Sequence, residues 1–175
     1  TLAGDLERLD ASAFNSCEAL ESVTIQDGMV QIGDKAFYNC SALKEIDIPA
    51  SVVSIGQQAF RGCIAMTKVT LHEGLETIGN QAFNNCNSLM DIAFPASVKR
   101  VGTDVLTYTA LADAQAESDF VICGKTLVKS NCGSFYAVDG HPCVIPEGVI
   151  CIADKAFYKV VMTELEFPWS LRYIG

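Results

Sequence analysis

One sentence of residues is written four times between Leu20 and Leu111, at a fixed period of 23. The clearest copy is Leu43 to Ala65, LKEIDIPASVVSIGQQAFRGCIA, with neighbours starting at Leu20, at Met66 and, in worn form, at Leu89. Single columns confirm the step: Phe14, Phe37, Phe60 and Phe83 are each 23 apart, and so are Cys17, Cys40, Cys63 and Cys86. Gly33, Gly56, Gly79 and Gly102 keep the same interval, each after Ile or Val. A period of this length marks a solenoid, in which each unit buries its apolar side only against its neighbours. The chain is therefore expected to be a stack of coils rather than a globule around a central core.

Each copy has its own internal logic. In LKEIDIP, Ile46 and Ile48 alternate with charges, as in a strand with one buried face. Pro49, or an Asp27-Gly28 or Glu73-Gly74 pair, then supplies turn chemistry. A second short extended piece, Val52 to Ile55, ends at Gly56. The next residues, QQAFRGC, are expected to make one helical turn that carries Ala59 and Phe60 inward. Ser16, Asn39, Gly62 and Asn85 stand before the cysteines, mostly residues that accept the left-handed conformation ending such a turn. The predicted fold class is an α/β repeat solenoid with two parallel β ladders, coils about 4.8 Å apart, and short helical turns.

The pattern fails after the fourth copy, where Leu106 replaces the Phe and Thr109 the Cys. From Leu106 to the next equivalent, Phe157, is 51 residues, two periods plus five. Residues 109–118 are alanine-rich and predicted helical, and DFVICGKTLVK, with Gly124 at the bend, reads as a strand pair. The register returns with Ile145, Gly148, Val149 and Ile152 matching Ile25, Gly28, Met29 and Ile32, and a last copy starts at Met162. The expected organisation is an array over 1–111, an interrupting helix and hairpin over 112–143, and resumed repeats over 144–175, forming one elongated domain. Because the repeat is cut at both ends, the chain reads as a fragment of a longer protein.

Half of the residues are hydrophobic, so the chain has material for a large core. A net charge of −9 argues against a nucleic-acid partner, which selects clustered Lys and Arg. No apolar run is long enough to span a membrane, so no direct membrane insertion is expected.

The recurring LxxIxIPxxVxxIGxxAFxxC over Leu6 to Leu111 and Val144 to Gly175 resembles the BspA-type leucine-rich repeat of bacterial and protist surface proteins. The segment DFVICGKTLVK…VIPEGV also looks like the one with which that family restarts an array. The resemblance implies a non-enzymatic extracellular or cell-surface module for binding or adhesion, with no catalytic residues, no cofactor and a protein or matrix ligand. Two other classes stay open: an intracellular interaction scaffold, and a thiol or metal-dependent enzyme built on residues 119–151.

Candidate sites follow from what the repeat does not explain. Stacked Cys17, Cys40, Cys63 and Cys86 would lie about 4.8 Å apart, too far for a disulfide's 2.05 Å or so, so they read as a buried ladder of small hydrophobes. Cys143 falls in the inward column of Val23 and Ile46. Cys151 aligns with the outward polar residues Gln31, Ser54, Thr77 and Arg100, which leaves a disulfide to Cys132 or Cys123 open. A zinc site using these cysteines and His141 lacks any CxxC spacing and is not favoured, so no metal site is expected. The only other histidine, His72, is expected to be solvated. The Asn39-Cys40-Ser41 sequon reads as the end of a turn before a buried Cys. The candidate binding surface is the outward strand face bearing Glu45, Asp47, Lys68, Thr70, His72 and Asp91. Trp169, at the turn position of Ala50 and Ala96, is a further aromatic contact candidate.

Overall fold

A computed structural model describes residue 2 and residues 6–131 and 142–175. The repeat becomes a solenoid with a parallel sheet on each of two sides. The second extended pieces form one sheet, β1 (Arg8–Leu9), β2 (Gln31–Ile32), β4 (Ser54–Ile55), β6 (Thr77–Ile78) and β8 (Arg100–Val101), in that order. The longer strands β3 (Glu45–Ile48), β5 (Lys68–Leu71) and β7 (Asp91–Ile92) form the other. Register follows the period residue for residue, with Glu45 opposite Lys68 and Lys68 opposite Asp91. Equal columns thus stack directly. Along β3 the burial alternates, Ile46 and Ile48 inward and Glu45 and Asp47 outward, as the period-two pattern requires.

The core is a set of side-chain columns. Phe14, Phe37, Phe60 and Phe83 stack with ring centroids 5.3, 5.3 and 5.4 Å apart and interplanar angles of 3 to 7°. Phe37, Phe60 and Phe83 are fully buried, together with Cys40, Cys63 and Cys86.

The expected helical turns do not form, and the fold is accordingly a β-solenoid rather than α/β. The segment after each glycine is a pair of tight turns with two left-handed residues, such as Lys35 and Asn39 (φ 55 and 57°) or Gln58 and Gly62 (φ 56 and 80°). Ala36, Tyr38 and Cys40 donate their N–H groups three residues back, to Gly33, Lys35 and Phe37. The alternate donors leave the coil: Lys35, Phe37 and Asn39 donate to the Gln57, Ala59 and Arg61 carbonyls at 2.9, 2.7 and 2.8 Å. A helical turn would direct its N–H groups within the segment. Here half of them hold the next coil, making a third ladder. The left-handed residue before each Cys was foreseeable from Asn and Gly. The one four residues earlier was not, because Lys and Gln carry no such preference.

The only α-helix among the described residues is α1 (Ala110–Ala114). Thr109, in the cysteine column, is buried and donates its hydroxyl to the Leu106 carbonyl while accepting the Ala112 N–H. A cap of this kind starts a helix, so the Cys-to-Thr change that spoils the repeat also launches the chain out of it. The strand pair follows as β9 (Phe120–Cys123) and β10 (Thr126–Ser130), antiparallel about Gly124 at φ +62°. β10 then pairs in parallel with β12 (Cys151–Ile152), and β12 with β14 (Tyr173–Ile174), while β11 (Cys143–Val144) pairs with β13 (Leu165–Glu166). Asp154 N–H also donates to the Val101 carbonyl at 2.8 Å, tying the resumed repeats to the last coil of the first array.

Candidate functional site

All six residues predicted for the strand face lie on the outer surface of the β3-β5-β7 sheet and its immediate edge. Glu45, Asp47, Lys68, His72 and Asp91 are exposed and Thr70 is half-buried. Lys68 bridges to Asp91 at 3.2 Å, and His72 Nε2 lies 2.8 Å from Asp47 Oδ1, so this histidine is exposed but partnered, not merely solvated. Lys44 with Glu21 and Lys99 with Glu76 repeat the same cross-coil pairing at 2.7 and 2.6 Å. Lys44 in turn holds the Glu21 carboxyl below its ordinary pKa, first by hydrogen bonding and then by its charge. Such exposed pairs are screened by solvent and contribute little to stability. They order the face more than they stabilise it.

The turns closing these strands repeat with a period of two coils. An acidic residue and Gly in one coil meet Pro-x-Ser in the next. Gly28, Gly74 and Gly148 donate N–H to the hydroxyls of Ser51, Ser97 and Ser170 at 3.1, 3.0 and 2.9 Å. Glu73 accepts from Ala96 and Ser97 N–H, and its carboxyl is held below the usual range, the Ala96 N–H being the first cause. Glu147 accepts the Trp169 N–H at 3.1 Å in the same way. The Trp169 backbone is thereby fixed while its side chain is 99% exposed, where the earlier Pro-x-Ser turns carry alanine.

The cysteines among the described residues are free thiols, half-buried at Cys17 and buried elsewhere. Cys40, Cys63 and Cys86 each donate S–H to the carbonyl of a phenylalanine in the preceding coil, Phe14, Phe37 and Phe60, at 3.1 to 3.2 Å. Cys151 departs from its expected outward position: it is fully buried, with Sγ 3.7 Å from the Lys99 carbonyl, because β12 packs beside β8 and covers it. Cys123 is likewise a buried free thiol, against the Ile92 carbonyl, so no Cys123–Cys151 disulfide forms. Cys143 is buried as its column requires. Cys132 and His141, invoked for a disulfide and for zinc, lie outside the described residues, and no metal-binding cluster occurs among those described.

Burial pushes the Cys40 thiol up to about 12, with neighbouring Cys63 adding to it, Cys123 up to about 12 and Cys151 up to about 11. Cys63 is raised too, first by the neighbouring Cys86 thiol and then by burial. In the native chain at pH 8, iodoacetamide should label half-buried Cys17 and spare the buried Cys40, Cys63, Cys86, Cys123 and Cys151, which it cannot reach, while all react in denaturant. Mass mapping of the labelled peptides checks this. Because unfolded thiols release their protons near 8.5, the stability that Cys40, Cys123 and Cys151 contribute by staying protonated is complete below about pH 8.5. It is lost as pH rises through the folded values of about 11 to 12.

The family model for the BspA type leucine rich repeat region matches residues 7–133 and 130–175, in six copies. The chain belongs to the BspA-type leucine-rich repeat family. Among solved structures, the repeat resembles the pneumococcal vaccine antigen PcpA at 20% identity and a TM-score of 0.58, over 96% of this chain and 50% of that one. It also resembles a T. pallidum leucine-rich repeat protein, TpLRR, at 25% identity and a TM-score of 0.49, over 98% and 74% of the two chains. The BspA-type chain thus spans half the length of PcpA, and the likeness to PcpA is one of fold. A search of curated proteins finds no match.

Proposed function

We propose that this BspA-type array is a non-enzymatic binding module of a secreted or cell-surface protein, and that it presents the β3-β5-β7 face to a protein or extracellular-matrix ligand. The observation that carries this reading is the in-register, exposed set of Glu45, Asp47, Lys68, His72 and Asp91, held by cross-coil pairs on a backbone that stacking keeps rigid. Placing a site on such a scaffold fixes its geometry before a ligand arrives, which lowers the ordering cost of association. Family membership supports the surface location and the absence of catalysis. The packing of Cys123, Cys151 and Ala153 with the side chains of the first array supports one continuous unit rather than separate domains. An intracellular scaffold draws its appeal from the unpaired cysteines, but thiols this deeply buried are shielded from oxidants in any compartment.

The test is a combined Glu45→Lys, Asp47→Lys and Asp91→Lys variant, screened beside the parent against a panel of purified matrix and host-surface proteins. Exposed substitutions of this kind shift stability by about 0.5 kcal/mol or less each, so folding is retained. A ligand that uses this face should bind the variant at least about tenfold more weakly, a difference of roughly 1.4 kcal/mol. Equal binding of parent and variant for every ligand found removes the strand face from the mechanism.

A further inference from the structure

Where the first array meets the resumed repeats, a groove of about 570 Å³ opens between the turn segment 103–108 on one wall and 154–158 on the other, with β10 beneath and α1 at one end. Its position in the third ladder defines what it lacks. In the preceding coil, Gln81, Phe83 and Asn85 donate N–H to the carbonyls of Thr103, Val105 and Thr107 at 2.8, 3.1 and 3.0 Å. One coil on, the equivalent donors are Asp104, Leu106 and Tyr108, and among the described residues these three N–H groups have no backbone acceptor. The chain that should have supplied three carbonyls has been diverted into α1 and the hairpin. On the facing wall the Ala156 carbonyl is taken by Ser130 N–H at 2.8 Å, while the Asp154 and Tyr158 carbonyls, which the ladder would also use, accept from no backbone N–H among the described residues.

We propose that this groove is a docking site for a polypeptide segment of a partner folded into the same paired turns, which completes the interrupted ladder by accepting hydrogen bonds from Asp104, Leu106 and Tyr108. The occupant is specified by continuity: in each earlier gap of the stack, the same three donors are met by a peptide presenting alternate carbonyls, as Gln57, Ala59 and Arg61 do for Lys35, Phe37 and Asn39. As in strand addition to an open sheet edge, such a segment takes its affinity from main-chain bonds and its selectivity from flanking pockets. Tyr108 and Tyr158, 63 and 65% exposed, stand on the two walls as aromatic contacts of the kind that anchor interfaces. Lys129 and Lys155 against Asp104, Asp113 and Asp154 leave the lining without a strong sign, so backbone recognition dominates.

The probe is the acetylated, amidated peptide GQQAFRG, the sequence of residues 56–62, titrated into isotope-labelled full chain and followed by amide NMR. The expected result is selective shifts and slowed hydrogen exchange at Asp104, Leu106 and Tyr108, with Lys35, Phe37 and Asn39 unmoved. Ala116→Trp, which fills the groove from an exposed position beyond α1, should weaken the peptide at least about tenfold at an unchanged unfolding midpoint. Lys129→Trp repeats the test from β10 should that variant fold poorly. The proposal is overturned by slow exchange of the three amides before any peptide is added, which would show the chain's own residues in the groove. It also fails if no shift appears at millimolar peptide, or if both tryptophan variants bind as the parent does.

Discussion

Replacing Gly79 by alanine should destabilise the array by about 2 to 4 kcal/mol, a substantial fraction of the about 5 to 15 that holds a small domain folded. A Cβ built there lies 2.5 Å from Gln57 N, 2.6 Å from Gly56 C and 2.9 Å from Gln57 Cα. All three are backbone atoms of the preceding coil, so no side chain can swing aside. Relief requires two coils to move apart, which lengthens the Gly79 N–H to Ile55 carbonyl bond, now 2.8 Å. Overpacking of this kind costs about 1 to 3 kcal/mol, and an impaired backbone bond adds roughly 1. Gly148 supplies the control. It has φ +95° and nothing within 4 Å, so Gly148→Ala meets only backbone strain, about 1 to 2 kcal/mol. Urea midpoints of the two variants decide the matter. Equal losses would mean that contact between coils does not dictate the glycine column.

This contrast explains how far the sequence could be read. Whatever depends on stacking equal residues was legible, because a fixed period makes each column its own evidence. The strand faces, the Phe and Cys columns, the inter-coil glycines and the hairpin about Gly124 all follow from subtraction and turn chemistry. The turn segment did not, because Ala59, Phe60 and Cys63 have the spacing of a helical face whether the backbone is helical or folded into paired left-handed turns. Only the destination of the N–H groups separates the two, and that is a property of the neighbouring coil. Cys151 was misplaced for a related reason. Its column faces outward in the regular array, but β12 packs beside β8, and a surface position became interior. The strand-face residues were legible as a face, since alternation alone puts them there, whereas the pairing of His72 with Asp47 joins different columns of adjacent coils, 25 residues apart, and no single column shows it. The groove at 103–108 was signalled only as an irregular gap of 51 residues, and the three open donors could not be inferred without the ladder to which they belong.

Phe60→Ala should be the most damaging single truncation in the chain, at about 5 kcal/mol. Removing a fully buried phenylalanine costs about 3 to 5 kcal/mol through lost burial and the cavity left behind. Phe60 also stacks on both sides, 5.3 Å from Phe37 and 5.4 Å from Phe83, and each such pair contributes roughly 0.5 to 1.5 kcal/mol beyond its area. Phe14 is the internal comparison: it is half-buried and stacks on Phe37 alone among the described residues, so Phe14→Ala should cost less than half as much. Phe60→Leu should fall between them, because the chain already tolerates Leu106, 3% exposed, in this column where the ring stack ends. Guanidinium unfolding followed at the far-ultraviolet β signal measures all three. Similar losses for Phe60→Ala and Phe14→Ala would show that the column merely fills space. A clear gradient from the interior of the stack to its edge would show that each ring is stabilised by the coils on both sides, so that the end of the ring stack at Leu106 has to be covered by other apolar side chains, as its own 3% exposure shows.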